Sequence, residues 1–249
     1  LEIGALANLS DLGSHPEVRR RYPAVATAVL GIAGPQIRNM ATVGGNLCQR
    51  PRCWFYRDAG IKCARKGGAG CYAADGENAC HAILGGHNCY MVHPSDLAPA
   101  FIACGARVTY AGRAGRKTIP LESFFIGPEK DITRENVLAQ DEVLESVGIP
   151  APPPGSRAVF IKACARAAMD FADASVAAVF EMDGERCRRA RIVLGGVAPI
   201  PWPAPQVDAL LSGAVLSGEL ARKAAQAAVQ GAEPLSMNAY KVVLARNLV

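Results

Sequence analysis

At 249 residues and a net charge of +5, the chain has room for one large domain or two ordinary ones, and half of its residues are apolar against a fifth charged. This is ordinary globular composition and excludes a disordered chain. No run of about 18 uninterrupted apolar residues occurs, which argues against a membrane-spanning helix. The basic residues gather at Arg19–Arg21 and in RCRRAR, from Arg186 to Arg191. Aromatics do not interleave with them, so a solvated face or an anionic cofactor fits better than nucleic acid.

In chain order, LEIGALANLSDL reads as a strand running into a helix start, without the charged and apolar segments of a signal peptide. Leu1 stands where Met would, so a truncated or processed N-terminus is expected. Tyr22 to Ala33 predicts a helix, broken by GPQIRNMATVGGN, whose two glycines alone predict a turn. A helix is expected from the Ser95–Asp96 cap, then strands over Ala106–Tyr110, within RKTIPLESFFIG, and over Val143–Ile149. The proline run Pro150–Arg157 denies backbone donors and stiffens the chain. A boundary is expected there: a first domain over 1–150, a linker over 151–156 and a second domain over 157–249. Beyond it, RAVFIKACA predicts a strand and DFADASVAAVFEMDGERCRRARIVLGGVAP two strands around an Asp-Gly turn. Two alanine-rich helices, APQVDALLSG and SGELARKAAQAAVQGA, complete an α+β unit of about 95 residues.

Six of the nine cysteines crowd the loop 48–92. Of the others, Cys104 and Cys164 lie in apolar sequence and read as small buried hydrophobes, while Cys187 stands alone. The loop is rich in glycine, which lets a backbone fold back repeatedly and converge several thiolates. Three readings stay open. Disulfides need an oxidising compartment, and nothing here announces export. Structural zinc usually takes C-x-x-C pairs, which are absent. A cubane iron–sulfur cluster takes four thiolates at freer spacing, and Arg50, Arg52, Arg57, Lys62, Arg65 and Lys66 would offset its negative charge.

The segments LEIGALANLSDL, IRNMATVGGNLCQRPRCWFYRD, HPSDLAPA, DEVLESVGIP, VFIKACAR, ASVAAVFEMDG and ARIVLGGVAPIPWPA follow one another along the whole chain. In this the chain resembles the FAD-binding (medium) subunits of molybdenum hydroxylases, the xanthine dehydrogenase and carbon monoxide dehydrogenase group. Its cysteine loop is similar to that of the periplasmic aldehyde oxidoreductase branch, whose flavoprotein subunit carries an additional 4Fe–4S cluster. The fold implied is α+β: the second subdomain of a PCMH-like FAD-binding domain, then a CO dehydrogenase flavoprotein C-terminal domain. Relatives begin with a further FAD subdomain, which is expected to be missing from this chain.

The resemblance implies roles residue by residue. Thr42, Val43, Gly44, Gly45 and Asn46 would lie against the FAD diphosphate and ribityl chain, with glycines letting N–H groups approach anionic oxygens. Asp96 would bond FAD hydroxyls, although an N-cap role is equally physical. Ile32 and Leu144 would supply backbone or apolar contacts. Lys162 would face the FAD site, where a strand lysine otherwise reaches for solvent. Cys53, Cys63, Cys71 and Cys89 would hold the cluster, leaving Cys48 and Cys80 as bystanders. No acid–base dyad or triad stands out, and His81 and His87 read as loop residues. The implied function is an electron-transfer FAD/iron–sulfur subunit of a molybdenum-dependent aldehyde oxidoreductase. Its partners would be a large molybdenum-cofactor subunit and a small 2Fe–2S subunit, in the periplasm, although other members of the group are cytoplasmic. The alternative is a non-catalytic zinc- or cluster-stabilised scaffold subunit that has lost its flavin.

Overall fold

A computed structural model describes residues 1–166 and 168–249. The chain opens with β1 (Glu2–Gly4) and a run of short helices: α1 (Leu9–Ser14), α2 (Pro16–Arg21), α3 (Pro23–Leu30), α4 (Pro35–Met40) and α5 (Val43–Leu47). Prolines at the first turns of α2, α3 and α4 divide this run, because each tolerates only a helix start. The cysteine loop follows, with α6 (Trp54–Arg57) and a 3₁₀ turn at Ala64–Lys66. Next come α7 (Leu97–Ala103), β2 (Arg107–Gly112), β3 (Gly115–Pro120) and β4 (Val143–Gly148). These strands form an antiparallel sheet in the order β1-β4-β2-β3.

The second sheet takes its strands in sequence order: β5 (Ser156–Ala163), β6 (Ala174–Asp183), β7 (Arg186–Gly195) and β8 (Trp202–Pro203). Asp183 pairs with Arg186 across Gly184–Glu185, and Gly184 takes φ +59°, the left-handed conformation such a tight hairpin requires. Helices α8 (Pro205–Leu211), α9 (Gly218–Ala228) and α10 (Tyr240–Leu248) follow. The Ser217 hydroxyl caps α9 by accepting the Leu220 N–H at 3.2 Å.

Two cores hold these layers together. The first joins α1, α3, α5 and α7 (Leu9, Val29, Leu47, Phe101) to Val108 and Val147 of one sheet and to Phe160, Ala177 and Val193 of the other. The second packs Val176, Ile192 and Leu194 against α8–α10, and it recruits Ile83 and Leu84 from the tail of the cysteine loop. Strand β6 is therefore buried on both faces, which is why ASVAAVF runs apolar instead of alternating. Two cysteines depart from expectation. Cys104 and Cys164 are both only half-buried, and the Cys164 thiol donates to the Arg166 carbonyl at 3.0 Å; Cys187 is the fully buried one.

Candidate cofactor sites

A groove of about 600 Å³ opens where the end of α3, the α4–α5 connection, the start of α7 and the segment after β5 meet. Ile32, Thr42, Gly45, Asn46 and Asp96 line it, joined by Gln49, Arg52, Met169, Asp170 and Phe171. A further space of about 220 Å³ shares Arg52, Asp96, Asp170 and Phe171 with the groove and reaches Cys53, His81 and His93. Volumes of this order suit a cofactor.

The TVGGN segment is a short helix rather than a turn. Thr42 is its N-cap, and the Thr42 hydroxyl accepts the Gly45 N–H at 3.1 Å. The remaining donors also turn inward. Val43 N–H bonds Ala7 O, Gly44 N–H bonds Ala5 O, and Asn46 N–H bonds Thr42 O, at 2.8–2.9 Å. These four N–H groups are thus engaged within the chain and do not form the expected diphosphate cradle. The glycine at 44 has a packing reason, since a Cβ there would stand 2.9 Å from the Ala5 Cβ. Gly45, by contrast, lines the groove.

Asp96 and Lys162 form a clasp under the same groove. The N-cap work at α7 falls to Ser95, whose hydroxyl accepts the Ala98 N–H at 3.0 Å and donates to Asn46 Oδ1 at 2.6 Å. Asp96 makes no side-chain cap bond and accepts from Lys162 Nζ at 2.8 Å. Burial pushes the Asp96 carboxyl up, while the Lys162 ammonium opposes that shift. Lys162 also donates to Gly31 O at 3.0 Å and Asp170 O at 2.7 Å. Its three donors therefore tie α3, α7 and the segment after β5 together. Arg38 Nη1 donates to Ile32 O at 2.7 Å and Ile32 N–H bonds Val29 O, which leaves Ile32 its apolar side chain for a ligand. Val43 and Gly44 are buried behind the groove wall. Leu144 lies on β4 opposite Tyr110, packed against the first core, away from the groove-lining set.

Sequence reasoning missed three contributors. Arg52 stacks over the Phe171 ring at 5.5 Å and joins the cysteine loop to the segment after β5. His81 and His93 are buried, and burial lowers both from 6.5 to about 4, so both are neutral. His81 Nδ1 and His93 Nε2 have no partner among the described residues and belong to residues lining the further space. The one available signal was that both histidines sit in apolar sequence, AILGG and YMVHP. With apolar side chains of Ile32, Ile37, Met40 and Phe171 and polar groups of Thr42, Gln49 and Asp96 in the groove, and orphaned imidazole nitrogens on residues lining the adjoining space, the residues present fit a flavin.

Cys53, Cys63, Cys71 and Cys89 line one narrow cavity, about 20 Å³, together with Arg65. All nine cysteines, every one among the described residues, carry free thiols. Burial raises the Cys53 thiol, and Cys71 and Cys89 nearby raise it further. His81 Nε2 stands 3.2 Å from Cys53 Sγ. Among the described residues no three His, Cys, Asp or Glu side chains converge at single-ion distance. A tetrahedral zinc with bonds of ~2.3 Å would require that convergence; a cubane core presents its ligands farther apart. A cavity of about 20 Å³ holds about one water, so a core of that size requires the lining to open around it. Arg65 is enclosed, and its Nε and Nη2 have no partner among the described residues, which fits an anionic, sulfur-rich occupant. Cys48 is set apart, packed against the first core, and burial pushes its thiol to about 11.

The closing side of the loop is gripped from far along the chain. Asn78 Oδ1 accepts the Met237 N–H at 2.9 Å, and Asn238 Nδ2 donates to His81 O at 3.1 Å. Lys241, fully buried, donates to Cys80 O at 3.2 Å and His81 O at 3.1 Å, and burial lowers its pKa to about 8.

Comparison with known proteins supplies a context for this geometry. The FAD binding domain in molybdopterin dehydrogenase matches residues 1–152, and the CO dehydrogenase flavoprotein C-terminal domain matches residues 159–249. The aldehyde oxidoreductase FAD-binding subunit PaoB of Escherichia coli K12 is 36% identical, over 99% of this chain and 75% of that protein. The carbon monoxide dehydrogenase medium chain of Hydrogenophaga pseudoflava is 29% identical, over 99% and 71%. A solved carbon monoxide dehydrogenase from that organism superposes with a TM-score of 0.74 at 27% identity, over 99% of this chain and 71% of the other.

Proposed function

This chain belongs to the family of FAD-binding subunits of molybdenum hydroxylases, oxidoreductase complexes, and from that premise we propose that it is an electron-transfer subunit holding FAD and a 4Fe–4S cluster. Substrate, an aldehyde, is oxidised at a molybdenum cofactor on a large partner. Electrons arrive from a small 2Fe–2S partner and leave to an external acceptor. FAD, when bound, supplies the exchange between one- and two-electron chemistry. The chain's own residues bind and orient. Ile32 and Phe171 cover apolar ring surface, Thr42, Gly45 and Asn46 border the polar part, and Asp96, fixed by Lys162, accepts from hydroxyl groups. Val43 and Gly44 support that wall from behind, and Leu144 steadies the adjoining sheet. Cys53, Cys63, Cys71 and Cys89 are the cluster ligands.

One observation supports this reading: Arg52 lines the groove and the further space, and Cys53 lines that space and the cysteine cavity, so the cavities adjoin. The inward-turned N–H groups of Val43–Asn46 favour a second reading, a scaffold without flavin. The deciding experiment is cofactor analysis of the complex with its partners, prepared anaerobically. One FAD and about four iron atoms in this subunit, with flavin bleaching on mixing with an aldehyde, is the expected result. About one zinc and no flavin would establish the scaffold instead. The similarity to the aldehyde oxidoreductase subunit supports the choice of substrate class. A periplasmic location belongs to the same proposal and is checked by cell fractionation; among the described residues no helix is long and apolar enough to cross a membrane.

A further inference from the structure

Arg65 lies two residues after Cys63, on the 3₁₀ turn, with its side chain 1% exposed. A guanidinium has five N–H donors in a rigid fork, and against a carboxylate it normally engages with two nitrogens. Here a single nitrogen does all the work. Nη1 donates to Glu135 Oε1 at 2.6 Å and to Arg134 O at 3.4 Å, while Nε and Nη2 are buried without a partner among the described residues. Leaving buried donors of a charged group unmet is costly. The carboxylate is not free to supply the second contact, because its other oxygen takes Arg50 Nε at 2.9 Å. Two arginines thus share one carboxylate, and an uncompensated positive charge remains beside the four thiols. Arg50 is largely in solvent, where its charge is screened, whereas Arg65 is enclosed in the wall of the cysteine cavity. A salt bridge serving only the fold would not need the two spare nitrogens and their three N–H donors.

We propose that Arg65 sets the reduction potential of the cluster on Cys53, Cys63, Cys71 and Cys89, giving its spare N–H groups to sulfur, with Glu135 attenuating its charge. The inference rests on the reading that these thiols hold an iron–sulfur core. Cluster potentials respond to net charge, to hydrogen bonds on the sulfurs and to solvent exposure. One-electron reduction adds a negative charge to the core, so an enclosed guanidinium favours the reduced state and raises the midpoint. Removing Glu135 removes an opposing charge and raises it further. The two members of one ion pair therefore act in opposite directions, a signature that a purely structural pair would not give.

The test is a dye-mediated redox titration of the intact complex with dithionite, read by the EPR signal of the reduced cluster and accompanied by iron analysis. For Arg65→Gln, the reduced-to-oxidised ratio at fixed potential should fall about tenfold, a ~59 mV lower midpoint for a one-electron couple. Glu135→Gln should move the ratio the other way, and Arg65→Lys, which keeps the charge, should restore most of the wild-type midpoint. Midpoints unmoved, or moved the same way by both substitutions, with iron retained, would overturn the role of Arg65 and leave the cluster standing. If Arg65→Gln loses its iron, Glu135→Gln decides, since it keeps the arginine: a raised midpoint supports the proposal and an unchanged one refutes it. A wild-type subunit without iron would remove the cluster reading, and this inference with it.

Discussion

The groove and the cysteine pocket open on one intermediate space, the groove through Arg52 and the pocket through Cys53, yet they are built in opposite ways. The groove is a by-product of packing. Its walls are ends of helices and strands whose N–H groups are already satisfied, and Gly44 and Lys162 lock them from behind. The pocket has little core of its own. It is a glycine-rich loop held by side chains bonded to backbone, with a buried arginine left partly unpaired. The difference teaches that the groove should keep its shape without a ligand, whereas the pocket should depend on its occupant.

The strongest way to break this contrast is Lys162→Ala. Leaving Asp96 buried and unpaired should cost ~3–5 kcal/mol of stability. It should also strip FAD from the complex, as read by denaturant midpoint and flavin content, while the iron content holds. A groove that survives this change intact is not locked by the clasp. The next effect is acid lability. His93 titrates near 4 in the fold and near 6.5 when unfolded, because burial disfavours its charge. Between those values the unfolded chain takes up a proton that the native chain refuses. The contribution, ~3 kcal/mol, is therefore present above pH 6.5 and lost as the pH falls toward 4. Urea midpoints at pH 7 and 4.5 should show this loss, and His93→Gln should flatten it.

A matched pair of substitutions sharpens the contrast further. Gly44→Ala forces a Cβ to 2.9 Å from the Ala5 Cβ and should cost ~1–3 kcal/mol of global stability. Gly68→Ala would place a Cβ 1.7 Å from the Lys62 carbonyl oxygen. It should cost the pocket its iron while leaving the thermal midpoint of the groove within a few degrees of wild type. Equal effects on both sites would mean that they fold as one unit. The smallest change, Thr42→Ala, removes a helix cap worth ~1 kcal/mol, and Thr42→Ser should restore it in thermal melts.

Much of the architecture is legible in the sequence because it is local. The strands at Val143–Gly148 and Ser156–Ala163, the Asp-Gly hairpin and the alanine-rich helices announce themselves through period, turn chemistry and capping. The three-residue β1 pairs with β4, and nothing local specifies a contact so distant along the chain. Helices α2, α4 and α5 are too short for a 3.6-residue period to show, so TVGGN passes for a turn. In the site, residue identities were readable, but the direction of backbone donors was not, since it depends on where Ala5 and Ala7 fall in space. His93 escaped for a related reason, and Arg65, read only as one of six charges near the cysteines, hid its burial: a buried histidine or an orphaned guanidinium is defined by its neighbours.

The grip of residues 236–241 on residues 78–82 has a consequence for biogenesis. Synthesis runs from the N-terminus, and early segments fold as they emerge. The groove-forming helices α3, α5 and α7 and the Lys162 strand can assemble while the rest of the chain is still being made. The cysteine loop, in contrast, lacks Met237, Asn238 and Lys241 until translation has passed them. Its thiols are made early and enclosed late, which leaves an interval in which they stay open to reagents in their surroundings before α10 shuts the loop.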